Sequence, residues 1–123
     1  MKYVALLTNT LEDVQKWDAM SPEEIQASRA EEIPKWGALY ERHRGDGALD
    51  GYGAELDAPK TAKTVRVRDG EVVITDGPFA ETKEMLGGVM VIEAEDLDAA
   101  IALAAEIPVA EYGSVELRPV IEH

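Results

Sequence analysis

The chain has 123 residues, a mass of 13.4 kDa and no cysteine, which fits a single domain and excludes a disulfide framework, a thiolate nucleophile and cysteine-ligated zinc. Twelve basic against 25 acidic residues leave a formal charge of −13 and a pI near 4.4. So acidic a surface repels phosphate backbones and anionic lipid, which argues against nucleic acid or a membrane surface as partner.

Lys2 to Thr8 reads as a strand, and its run Val4-Ala5-Leu6-Leu7 is apolar without alternation, the pattern of a strand buried on both faces. Ser21-Pro22-Glu23-Glu24 starts a helix, with Ser21 as N-cap, Pro22 at the first position and Glu24 completing a capping box. A stripe at Ile25, Arg29, Ile33, Trp36, Tyr40 and His43 predicts the packed side of that helix. Pro34 predicts a kink or a split near Ile33, and Gly45 and Gly47 end the helix. Ala48 to Leu56 is a weak, glycine-rich strand.

The strongest local signal is Thr64-Val65-Arg66-Val67-Arg68, Asp69-Gly70, Glu71-Val72-Val73-Ile74-Thr75, two β-rich runs joined by a two-residue loop of the type I′ kind. That register sets Arg68 opposite Glu71, Val67 opposite Val72, Val65 opposite Ile74 and Lys63 opposite Asp76. Gly87 to Ala94 forms a further strand that is apolar on both faces at Val89, Met90, Val91 and Ile92. Asp96 caps a helix running to about Glu106, with Leu97, Ala100, Ile101 and Ala104 in its stripe. Ser114 to Ile121 is the last strand, and Pro119 marks an edge or a strand end.

This order, strand–helix–strand, hairpin, strand–helix–strand, predicts an α+β domain over residues 1–123: a ferredoxin-like split βαβ with an inserted β-hairpin. Two helices cover one face of a four-stranded sheet, so the two-faced strands need a second cover, and a second copy of the chain supplies it. The expectation is a homodimer.

Asp76-Gly77-Pro78-Phe79 followed by Ala80-Glu81-Thr82-Lys83-Glu84, with Gly87-Gly88, Asp96-Leu97-Asp98-Ala99-Ala100 and the ending Val115-Glu116-Leu117-Arg118-Pro119-Val120, resembles the DGPF subgroup of the YCII-related superfamily. The likeness runs over nearly the whole chain and is loosest from residue 9 to 56. It implies a dimeric α+β barrel. Some YCII-like proteins are thought to use a histidine–aspartate pair, but their histidine falls early in the first long helix, where this chain has Glu31 to Lys35, so that dyad does not carry over. DGPF proteins also resemble genomic neighbours of extracytoplasmic-function sigma factors, which implies a regulatory protein partner as the alternative to a small-molecule site.

Each candidate residue has two readings. Asp76 is either a base or ligand acceptor at a pocket mouth, or the first residue of a turn bonded to its own backbone. Phe79, Glu81 and Lys83, with Glu84, are either a ligand-binding cluster or a solvated turn with local ion pairs. His43 is a proton shuttle or a partly buried ring satisfied by a neighbour. Lys63 stands across from Asp76, and Arg66, Arg68 and Arg118 either hold an anion or pair with Glu71 and Glu116. Tyr3, Trp36 and Tyr40 line a pocket or belong to the core.

No multi-histidine set, calcium loop, phosphate loop, nucleophile elbow or nicotinamide fingerprint occurs, so neither a metal nor a cofactor is expected. No apolar run reaches the roughly 18 residues of a membrane span and no signal-peptide core opens the chain, so a cytoplasmic protein is expected. The reading is a binder of a small polar molecule around the Asp-Gly-Pro-Phe turn. Were that site catalytic, its chemistry would be cofactor-free proton transfer of the isomerase or lyase kind. Whether the chain is an enzyme is left open.

Overall fold

A computed structural model describes residues 1–77 and 84–123. Among the described residues, six strands and three helices are arranged as β1 (Lys2–Thr10), α1 (Leu11–Asp18), α2 (Pro22–Arg42), β2 (Gly53–Glu55), β3 (Lys63–Arg68), β4 (Glu71–Asp76), β5 (Glu84–Glu93), α3 (Leu97–Ala105) and β6 (Ser114–Pro119). Single 3-10 turns lie at Pro59–Thr61 and Pro108–Glu111. The main sheet has the order β2-β5-β1-β6, antiparallel throughout, and β3-β4 form a separate two-stranded sheet. Setting the hairpin aside, the strands taken in chain order as first to fourth lie 2-3-1-4 across the sheet. This is the ferredoxin-like α+β arrangement, with the hairpin inserted after its second strand.

Alternation in β1 and β5 divides the sheet faces. Tyr3, Ala5, Leu7, Met90 and Ile92 are buried toward the helices, where they meet Leu39 of α2, Ala100 and Leu103 of α3, and Ile107 and Val109 beyond it. Each fully buried side chain of this size contributes roughly 1.5–3 kcal/mol. The opposite face carries Val4 beside Val91 and Leu6 beside Val89. None of these four belongs to the buried core, and all remain partly exposed.

The hairpin follows the expected register at every position from Lys63↔Asp76 to Arg68↔Glu71. Asp69 and Gly70 take φ of 52° and 78°, the two positive values that a type I′ turn demands and that Asp-Gly tolerates. Val65, Val67, Val72 and Ile74 share one face and are all at least 61% exposed. Hydrogen bonds from Gly77 N to Ala62 O (2.8 Å) and from Thr64 Oγ1 to Gly77 O (2.8 Å) close its base beside the Pro59–Thr61 turn.

Four expectations are corrected. Of the kink and the split expected at Pro34, the split does not occur: the helix is a single element of 21 residues. Its stripe packs only in part: Trp36 lies against the core, but Ile25, Ile33 and Tyr40 are exposed, and Leu39, off the stripe, is the fully buried residue of the helix. In α3, Leu97 and Ile101 are half exposed, and the core contact passes through Ala100, Leu103 and Ala104. The expected strand at 48–56 shrinks to Gly53–Glu55. The helix α1 has no counterpart in the sequence reading. Its signal is the N-cap Thr10, whose Oγ1 accepts from Asp13 N at 3.1 Å, followed by Val14 and Trp17 on one side.

Candidate functional site

Because α2 closes on the core only near Leu39, its first half stands off the sheet and leaves a cleft of about 960 Å³. Leu7, Asn9, Gly88 and Met90 come from β1 and β5, Val14 and Trp17 from α1, and Ile25, Arg29, Glu32, Trp36 and Tyr40 from α2. Further wall comes from β2, from Val109 and Tyr112, and from the chain on either side of the inserted hairpin: Asp57 to Lys60 before it, Met85 and Leu86 after it. The misfit stripe of α2 is therefore the wall of a cavity. Two of the three aromatics singled out from the sequence, Trp36 and Tyr40, line it, whereas Tyr3 is core.

A β-bulge shapes the cleft. Leu7 pairs with Gly88 but Thr8 pairs with Leu86, so Gly87 is the extra residue. A Cβ at Gly87 would overlap the amide of Asn9, so glycine there gives the Asn9 side chain its place in the cleft. Charges gather near the opening. Arg29 spans from α2 to β2 and meets both carboxylate oxygens of Glu55, at 3.0 and 3.2 Å. Lys60 Nζ lies 3.5 Å from Asp18 Oδ1. Glu32 Oε1 is 3.7 Å from Lys35 Nζ, while Glu32 Oε2 is buried with no hydrogen-bond partner among the described residues. Tyr112 stacks edge-on against Trp17 with ring centres 6.3 Å apart. Burial, and then the carboxylates of Glu32, Asp13, Glu111 and Glu55, push its phenol up to about 12.

The residues singled out from the sequence lie elsewhere or at the edge. Asp76 is ion-paired with Lys63 at the base of the hairpin, and its side chain is 85% exposed. Arg118 is paired with Glu116 at 3.2 Å on the edge strand β6. Phe79, Glu81 and Lys83 lie outside the described residues. His43, the C-cap of α2, places Nδ1 2.8 Å from Asp46 Oδ2 and Nε2 3.0 Å from Glu106 Oε2. Arg42 Nε donates to the other oxygen of Glu106 at 2.9 Å. The hydrogen bond to Asp46, followed by that to Glu106, holds the His43 imidazole above its ordinary 6.5 against the opposing effect of burial. Asp46, Glu106 and Glu116 thus take His43 and Arg118 into ion pairs, and the hairpin pair Lys63–Asp76 shares no partner with either.

The cleft residues that the sequence did not announce are Asn9, Trp17, Glu32 and Tyr112. Each stands on an element whose facing depends on where α1 and α2 sit, and the spacing of Val14 and Trp17 was the one legible hint.

A cleft beside a ferredoxin-like sheet, walled by the chain on both sides of an inserted hairpin, belongs to a small α+β domain. The sequence profile of the YCII-related domain matches residues 1–123, and the chain belongs to that family. It is also similar to an uncharacterised protein of Rhizobium meliloti (strain 1021), 43% identical over 68 residues, which are 54% of this chain and 55% of the relative. The match thus spans about half the length of that curated relative.

Proposed function

We propose that this protein binds a small organic molecule in the cleft between α2 and the sheet. The observation that carries the reading is the stripe of α2: Ile25, Ile33 and Tyr40 line a cavity of about 960 Å³ and lie outside the core, and Trp36 lines it from the edge of the core. Apolar walls with a few polar groups at such a volume are what ligand sites share. Asp76 and Lys63 belong to the rim in this reading. Gly77 is tied to Ala62 next to the Pro59–Thr61 turn, whose Pro59 and Lys60 line the cleft. If the bound molecule reacts, the chemistry available is proton transfer by a carboxylate.

The chain has two tryptophans, Trp17 and Trp36, and both line the cleft. Their emission therefore reports occupancy directly. Screening polar metabolites by thermal shift should give ligands that also change tryptophan emission, with about 2.7 kcal/mol of stabilisation at one hundred times the Kd. Asp76→Asn should weaken such ligands in a still-folded protein. Ligands that stabilise the protein while leaving both tryptophans unchanged would place binding elsewhere and remove the reading.

The same reading has two copies of the chain joined through surfaces that one copy leaves uncovered. Val4, Leu6, Val89 and Val91 form an apolar strip on the sheet, and Val65, Val67, Val72 and Ile74 form another on the hairpin.

A further inference from the structure

We infer that Asn9 selects the ligand of the cleft, pairing its side-chain amide with an uncharged molecule whose apolar body carries a donor and an acceptor side by side, as a carboxamide or lactam does. The inference rests on the cleft reading above and names the chemistry of its ligand. Strand alternation sets Asn9 on the helix-facing side of β1, in line with Tyr3, Ala5 and Leu7, which are buried. An apolar residue there would continue the core. The amide stands instead where the core gives way to the cleft, and it makes no side-chain hydrogen bond among the described residues. It is also open to solvent: among those residues, Glu32 Oε2 is the one side-chain atom that is both buried and unpartnered. Nor is it a helix cap, since Thr10 Oγ1 fills that role for α1. A carboxamide offers N–H and C=O on one edge, and a ligand with the complementary edge satisfies both at once.

Gly87 is the second observation. Its φ lies outside the left-handed region, so its backbone conformation is open to any residue. What excludes a side chain is Asn9, because a Cβ at Gly87 would overlap its Nδ2. Gly88 comes next and also lines the cleft, so the floor beside the amide is bare backbone on which a flat group can lie. Two glycines inside a strand weaken it, and here they keep the amide in place and the floor free. The lining's charges are engaged with one another or with the backbone. Arg29 meets Glu55 at 3.0 Å, Lys60 meets Asp18 at 3.5 Å, Glu32 meets Lys35 at 3.7 Å, and Asp57 Oδ1 accepts from Ala58 N at 2.7 Å. The lining side chains of Asn9, Ser28, Tyr40 and Tyr112 make no hydrogen bond among the described residues, and all four are neutral donors and acceptors. Trp17 and Trp36 supply aromatic surface for the apolar body.

The test uses four probes of one shape: 4-phenylbutanamide, its methyl ketone 5-phenylpentan-2-one, 4-phenylbutyrate and 4-phenylbutanamidine. They are titrated calorimetrically and by tryptophan emission against wild type, Asn9→Leu, Asn9→Asp and Gly87→Ala. The amide should bind wild type at least about tenfold more tightly than the ketone, the acid or the amidine. That preference over the ketone should fall to about twofold or less in Asn9→Leu, and it should also fall in Gly87→Ala, whose Cβ displaces the Asn9 amide. In Asn9→Asp, which exchanges the donor for a second acceptor, the amidine should become the tightest of the four. Equal binding of all four probes, with altered tryptophan emission, would overturn the assignment to Asn9 and leave the cleft reading standing. A wild-type preference for the acid or the amidine would do the same, as would an amide preference that survives Asn9→Leu. If no probe alters the emission of either tryptophan, the assignment falls too, and the cleft reading is decided by the wider metabolite screen. Asn9→Asp, of nearly the same size, keeps the test valid should Asn9→Leu fail to fold.

Discussion

His43 holds a carboxylate at each ring nitrogen, and through them it joins the ends of two helices. Asp46 lies in the turn after α2, and Glu106 is the C-cap of α3, so the imidazolium sits where both helix dipoles favour a cation. The pH dependence follows from the directions of the shifts. His43 is held above 6.5, so its contribution is complete below that value and is lost as pH rises through the folded value. Asp46 is held below its ordinary 3.8 by the Ala48 amide and then by His43. Burial pushes Glu106 up, but His43 and Arg42 outweigh it and hold the carboxyl below 4.5. The contributions of both acids are therefore lost only as pH falls through those depressed values. The clasp is complete between about pH 5 and 6.5. The difference in Tm between wild type and His43→Gln should be greatest there, on the order of a few degrees, and shrink toward pH 8.5. Thermal unfolding across that range checks it, and a difference that grows with pH would refute the clasp. His43 was legible as an unusual residue on a helical stripe, but Glu106, 63 positions away, was not legible as its partner.

At the scale of elements, α2 shows what local sequence decides and what it leaves to packing. Its start was fixed by Ser21: Oγ accepts from Glu24 N at 3.1 Å, and Glu24 Oε1 accepts from Ser21 N at 3.2 Å. Such a reciprocal cap contributes roughly 1 kcal/mol. Because the first half of α2 lends no residue to the core, losing the cap should fray that half alone. Ser21→Ala should therefore speed amide exchange over residues 22–30 severalfold, with little change in global Tm. A large drop in Tm would mean that this end of the helix is bound into the core after all. The hairpin was the most legible element, since Asp-Gly and alternating valines fix turn and register together within 14 residues. The destination of the α2 stripe was not legible. A pattern that faces a core and one that faces a cleft look the same in sequence.

For the whole molecule, surface area speaks to assembly. A compact monomer of this mass exposes roughly 6,500 Å². This chain exposes 8744 Å², about a third more, and the hairpin and the outer sheet face account for apolar parts of it. A stable pair buries about 800 Å² on each partner, which this surplus accommodates. Sedimentation at micromolar concentration should give twice 13.4 kDa. Val67→Lys with Ile74→Lys, both already exposed in one copy, should return the protein to 13.4 kDa without loss of secondary structure. A wild-type mass of 13.4 kDa under those conditions would rule the pairing out. Among the described residues no helix is long and apolar enough to cross a membrane.

By itself the sequence determined the order of the strands and of the helices α2 and α3, the ferredoxin-like α+β class, the helix caps at Ser21 and Asp96 and the hairpin register. All of these arise from contacts between residues close along the chain or from simple alternation. Tertiary structure alone decided where the cleft lies, because that depends on the stand-off between α2 and the sheet. It also decided that Trp17 from an unannounced helix faces Tyr112, and that His43 reaches Glu106. Burial and partnership of a side chain are properties of the space around it, and elements distant in sequence meet there.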